Sequence, residues 1–91
     1  MIPLMVTTAH RGVFFGYGEP SDAPTIRLER VRMCLYWPET NKGVMGLASE
    51  GPLEGARVGP PAPVVLLRDV TATMEVSPKA VKRWEAAPWR Q

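Results

Sequence analysis

One histidine and one cysteine set a low ceiling on the chemistry this 91-residue chain can carry out. A nucleophile–base–acid arrangement needs only one histidine, but His10 has no Gly-x-Ser-x-Gly elbow to serve. It reads as a strand-end histidine in contact with solvent. A catalytic zinc site takes three protein ligands, commonly with two or more histidines, so His10 and Cys34 do not supply a metal site. Cys34 sits between Met33 and Leu35 in the strongest strand candidate and reads as a small buried or half-buried hydrophobe rather than a nucleophile. No phosphate-binding loop or dinucleotide fingerprint occurs, and Gly16-Tyr17-Gly18 alone is not one. The expectation is a non-enzymatic protein without cofactor or metal.

Arginines and aromatics are the residues left to consider. The chain has eight arginines and three lysines, and arginine is favoured where planar, bidentate contact with phosphate or carboxylate is wanted. High-GC codon usage is the plainer cause. On the strand that holds them, Arg32, Cys34 and Tyr36 share one parity, and Trp37 follows just before Pro38. A guanidinium beside an aromatic ring can stack a base and pair a phosphate. The same set also describes an ordinary solvent face or a subunit interface, and that plainer reading leads. Arg57, between Gly55 and Gly59, and Arg11, before Gly12, have glycine neighbours that let backbone N–H groups approach an anion. The candidate ligand residues are therefore Arg11, Arg32, Tyr36, Trp37 and Arg57. Trp84 reads as core. Trp89, beyond Pro88, reads as a contact to its own domain or to another subunit.

These side chains need elements to hold them. Thr7 to Tyr17 is rich in β-formers, with Gly12 and Gly16 marking a bulge or a close approach; residues 1–7 are an N-terminal arm or an edge strand. Gly18–Pro24 is a loop. Thr25–Trp37 is the longest strand. Ile26 and Leu28 share a face with Val31, Met33, Leu35 and Trp37 only if an extra residue is inserted near Glu29-Arg30, as in a β-bulge. Val44–Ala48 reads as the second strand of a hairpin, and Ala56–Val58 as a brief edge strand. A proline-rich connector over residues 59–63 leads to strands at Val64–Leu67 and Val70–Val76. Ser77 and Pro78 open a helix over residues 78–87 whose Val81 and Trp84 must dock on the sheet, because so short a helix is unstable alone. Leu28-Glu29-Arg30-Val31 is echoed 39 residues later by Leu67-Arg68-Asp69-Val70. Both read as strand, charged bulge, strand.

Composition sets the frame. The length allows one domain, residues 1–91. Leu, Ile, Val and Phe make 21 of the 91 residues, above the ~20% below which chains tend to disorder. Ten prolines cut the chain short and exclude a long helix bundle. The fold class is mainly β: a curled antiparallel sheet, or a small barrel or roll, of about five to six short strands with one C-terminal helix. A lone cysteine and the lack of a basic, apolar leader point to a mature cytoplasmic protein. No apolar run is long enough for a membrane span. A net charge of +2 is too small to imply a polyanion partner, so nucleic acid ranks last.

The strings His10–Gly16, Arg32–Trp37, Gly43–Ala48, Gly51-Pro52, Arg57–Pro60, Asp69–Thr71 and Trp84–Trp89, in this order, resemble a family of small phage and prophage proteins over about residues 8–89. The resemblance carries no catalytic residues with it. It implies an accessory protein that acts by binding, and often an oligomer, since subunit contacts supply burial that one short chain lacks. The leading expectation is a homo-oligomer that captures a small anionic, nucleotide-type ligand in a pocket at a subunit interface, with a role against host defence. A protein-binding inhibitor of a host factor or a particle component is the alternative, and a weak nucleic-acid binder the third.

Overall fold

The structure, a computed structural model, describes residues 1–88. Six strands form one antiparallel sheet that does not close on itself: β1 (Ile2–Thr8), β2 (Val13–Gly18), β3 (Ile26–Tyr36), β4 (Arg57–Val58), β5 (Ala62–Leu67) and β6 (Val70–Glu75). Two helices join it, α1 (Gly43–Glu50) after a 3-10 turn at Glu39–Asn41, and α2 (Pro78–Ala86). β1 pairs with β2 and β6, β2 with β3, and the far edge of β3 takes β5 along its first half and β4 at its end.

Two left-handed corners curl the sheet. In β3, Phe15 faces Arg32 and Tyr17 faces Glu29, so Gly16 alone opposes both Arg30 and Val31. That is the expected bulge, and Arg30 takes a φ of 52° there. A Cβ on Gly16 would lie 3.0 Å from the Leu28 Cβ and 3.2 Å from the Glu29 carbonyl oxygen, so the close approach depends on glycine. The second corner is Arg68-Asp69, with Asp69 at φ 57°. Only these two residues link β5, on one edge of the sheet, to β6, on the other. Arg30 and Asp69 occupy the same place in the two echoed strings, so the echo marks two bent strands.

Both faces of the curled sheet are covered. Leu4, Val6, Ile26, Leu28, Val31 and Leu67 fill the inner face. Met5, Val13, Phe15, Cys34 and Val58 lie on the outer face against Leu47 and Ala48 of α1 and Ala80 and Trp84 of α2. Trp84 is fully buried, stacks on Phe15 at 5.3 Å and donates from Nε1 to the Leu47 carbonyl at 3.1 Å. The helix start follows expectation: Ser77 Oγ accepts from the Ala80 N–H at 3.1 Å, and Pro78 stands at the first position.

Four expectations are corrected. Val44–Ala48 is helical, inside α1, and makes no hairpin. Asn41, buried to 1% exposure, donates to the Gly51 carbonyl and accepts from the Leu53 N–H, which fixes both ends of the helix segment so that Leu47 and Ala48 reach Trp84. Residues 2–8 are neither an arm nor an edge, because β1 is paired on both sides. Thr7–Tyr17 is no single strand: a turn at residues 9–12 splits it, with Arg11 at φ 64°. Past the bulge the exposed and covered sides of β3 are exchanged. Arg32 and Cys34 lie under the helices, while Met33 and Leu35 are 38% and 49% exposed. A helix pair on the outer face covers the parity that alternation assigns to solvent.

Candidate functional site

A cleft of about 660 Å³ opens between the loop that follows α1 and the end of α2, lined by Pro52 to Val58 on one side and by Arg83, Ala86, Ala87 and Pro88 on the other. The lining follows from local chemistry. Gly51 takes a φ of 77°, and a Cβ there would meet the Ala80 carbonyl oxygen and the Arg83 Cβ at 2.8 Å. The chain can therefore turn tightly against α2 before the apolar stretch at Pro52 and Leu53. β4 then brings Arg57 and Val58 alongside the end of β3, with Arg57 in register with Tyr36. The volume falls in the range of small-molecule sites, about 300–1,000 Å³.

Two arginines, Arg57 and Arg83, line this cleft together with one carboxylate, Glu54. Arg57 is exposed and, among the described residues, has no carboxylate within ion-pair distance. Arg83 donates from Nη1 to the Glu50 carbonyl at 2.9 Å and lies 3.5 Å from the Glu50 carboxylate, so its charge is partly matched. Lys79 adds a second contact to Glu50 at 2.8 Å, and the carboxyl is held below its usual pKa by Lys79 first and Arg83 second. Glu54 is the acidic residue in the lining.

Arg32 lies behind this wall. It is only 7% exposed and donates from Nε to the Gly59 carbonyl at 2.7 Å, from Nη1 to the Trp84 carbonyl at 3.2 Å and from Nη2 to the Ala87 carbonyl at 2.8 Å. Two of these are end-of-helix carbonyls that lack partners within α2, and a cation there also opposes the negative end of the helix dipole. Burial lowers its pKa, yet a guanidinium keeps its proton. The result is a fixed charge one residue behind the cleft wall at Ala87.

The five expected ligand residues are thus dispersed. Arg57 lines the cleft and Arg32 backs it, but Arg32 is bound to backbone carbonyls and offers no exposed platform with Tyr36. Tyr36 is 53% exposed beside Arg57 in register. Trp37 is half-buried against the helix-side core, so it packs instead of stacking a ligand. Arg11 stands in the β1–β2 turn, whose Ala9 N–H donates to the Asp69 carbonyl, and does not line the cleft. Trp89 lies outside the described residues. Arg83 and the wall at Pro52 to Ala56 were missed, because nothing in the spacing brings residues 52–58 to residues 83–88. The available signal was the density of Gly and Pro at residues 51–55 together with the helix stop at Pro88.

The remaining reactive groups are accounted for. Cys34 is buried, its Sγ donates to the Tyr36 carbonyl at 3.4 Å, and burial pushes its pKa up to about 11. A thiol that stays protonated is a poor nucleophile. His10 is exposed and lies 3.7 Å from the Asp69 carboxylate. Tyr17 donates to Glu85 at 2.6 Å, under the Arg30 guanidinium at 3.8 Å from the ring centre. Burial, then the bond to Glu85, raises its pKa to about 12. Among the described residues no three His, Cys, Asp or Glu side chains gather around one point, and no helix is long and apolar enough to cross a membrane.

A family model described as a domain of unknown function (DUF6948) matches residues 1–84, and the chain belongs to that family. No curated protein and no solved structure matches it.

Proposed function

We propose that this protein is a non-enzymatic binding module whose cleft between residues 52–58 and the end of α2 takes a small anion with an apolar or flat body, of nucleotide type. The observation that carries the reading is the cleft's charge pattern. Arg57 shares an otherwise largely apolar wall with Glu54 and has no carboxylate within ion-pair distance among the described residues, Arg83 faces it with its charge partly matched by Glu50, and Arg32 lies buried behind. Two lining arginines against one lining carboxylate, Glu54, on a low-dielectric wall tilt the field in the cleft towards an anion. Pro52, Leu53, Ala56, Val58 and Ala86 offer apolar contact for the uncharged part of the ligand. On this reading the protein works as a phage or prophage accessory protein in the host cytoplasm, holding a nucleotide-type signal away from a defence system.

Native mass spectrometry of the purified protein with added adenosine monophosphate tests this. One ligand per chain is expected, retained by the wild type and lost in Arg57→Glu. Equal adduct formation by adenosine and by adenosine monophosphate would contradict a charge-selective cleft.

A second reading, attachment to a protein partner, draws on a different observation. Exposed apolar side chains stand on both faces of the sheet, Met33 and Leu35 of β3 on one and Val64 and Leu66 of β5 on the other, between 38% and 62% accessible. That reading predicts that Leu35→Glu abolishes capture of a host protein while leaving the nucleotide adduct unchanged.

A further inference from the structure

We infer that the free edge of β6 pairs with the same edge of a second copy of this chain, joining two sheets into one. β6 pairs only with β1 among the described residues. Its outer edge is tied at one end alone, where the Val70 N–H donates to the Pro24 carbonyl at 3.0 Å. At the other end the Val76 N–H turns inward to the Pro3 carbonyl. Alternation along the strand then points the N–H and C=O groups of Thr73 and Glu75 outward, away from β1. Such groups are a template for another strand, and proteins commonly blunt them with lysine, proline or a bulge. The strand's bulge against β1 falls at Thr71, at the far end of the proposed pairing, and from Ala72 to Glu75 the register is regular with neither lysine nor proline. The opposite edge is different, because β5 carries Pro63, which has no N–H to offer.

The occupant follows from the chemistry of the strand itself. Turned about a two-fold axis through Thr73, β6 meets its copy antiparallel with outward groups facing outward groups. Thr73 then opposes the partner's Thr73, Ala72 opposes the partner's Met74, and Thr71 opposes the partner's Glu75. Each pair matches a small side chain with a larger one or a hydroxyl with a hydroxyl or carboxylate, and no like charges face one another. A slide that set Glu75 against the partner's Glu75 would oppose two carboxylates, which selects the register through Thr73. The isologous contact closes at two chains. It uses neither Arg57 nor the cleft, so it stands apart from the proposed ligand reading.

Sedimentation velocity over a range of protein concentrations, paired with amide hydrogen exchange, tests the inference. The wild type is expected to sediment as a concentration-dependent dimer, with the Thr73 and Glu75 amides gaining protection as the dimer forms. Ala72→Lys places a charge beside the axis on an exposed position and is expected to leave a folded monomer. Ala72→Thr, neutral and strand-favouring, is expected to keep the dimer. A wild type that stays monomeric at the concentration of an NMR sample would overturn the inference. So would a dimer that Ala72→Lys leaves intact, or one whose amides at Thr73 and Glu75 exchange as fast as in the monomer.

Discussion

Arg32 occupies a strand position that alternation assigns to solvent, yet it is the polar residue on which the end of α2 depends. Hydrogen bonds from a charged donor contribute about 1.5–3 kcal/mol each, and a stranded buried carbonyl costs a similar amount. Water can reach part of the site near Ala87, so Arg32→Met is expected to destabilise the protein by about 3 kcal/mol in urea unfolding. Arg32→Lys is expected to recover less than half of that, because one ammonium cannot span three carbonyls in a planar fork. Cys34 and Tyr17 make a second prediction. Their folded-state pKa values lie near 11 and 12, above the ordinary 9.0 and 10.0. A raised acid pKa means the folded state favours the protonated form. The associated stability is fully present below pH 9 and is lost as pH rises from there through 11 and 12. Urea midpoints should therefore fall across that alkaline range, and less steeply in a Cys34→Ala, Tyr17→Phe double variant. A midpoint that held constant to pH 11 would contradict the burial of Cys34.

At the scale of elements, the two left-handed corners decide how the sheet curls. Proline is fixed near φ −65°, so Arg30→Pro and Asp69→Pro are both expected to abolish cooperative unfolding. Arg30→Gly and Asp69→Gly, which accept positive φ, are expected to stay within about 1 kcal/mol of the wild type. Circular dichroism with thermal melts separates these outcomes. The bulge at Arg30 was legible because the apolar residues of β3 change parity there, and α2 was legible because Ser77, Pro78, Val81 and Trp84 have cap and stripe spacing. Helix α1 was not. Its Gly43, Val44 and Gly46 are weak helix formers, and an apolar run of that length suits a strand as well as a buried helix. What makes it helical is tertiary, namely Asn41 bonded to Gly51 and Leu53 and the packing of Leu47 under Trp84. The exchanged faces of β3 follow from the same helix pair, so alternation alone could not reveal them. The cleft was hidden for a related reason: its two walls are separated by β5 and β6 in the chain and meet only once Gly51 has turned against α2.

For the whole molecule, a modest net charge of +2 conceals a local arrangement. Arg57 and Arg83 line one cleft with Glu54, and the buried Arg32 backs it, while Arg11 and Arg68 sit by the turns at the β1–β2 and β5–β6 connections. Affinity for an anion should therefore depend on Arg57 far more than on Arg11. Arg57→Glu is expected to weaken binding of a nucleoside monophosphate at least tenfold, which corresponds to about 1.4 kcal/mol, whereas Arg11→Glu should change it less than twofold. Because Arg57 is exposed, raising the salt concentration should weaken binding too. The most direct test is a titration with adenosine monophosphate followed by backbone amide chemical shifts. Saturable shifts confined to residues 52–58 and 83–88, absent in Arg57→Glu, are the predicted result. Shifts that instead cluster around the exposed Met33 and Leu35, or no shifts at all, would contradict the cleft as the site.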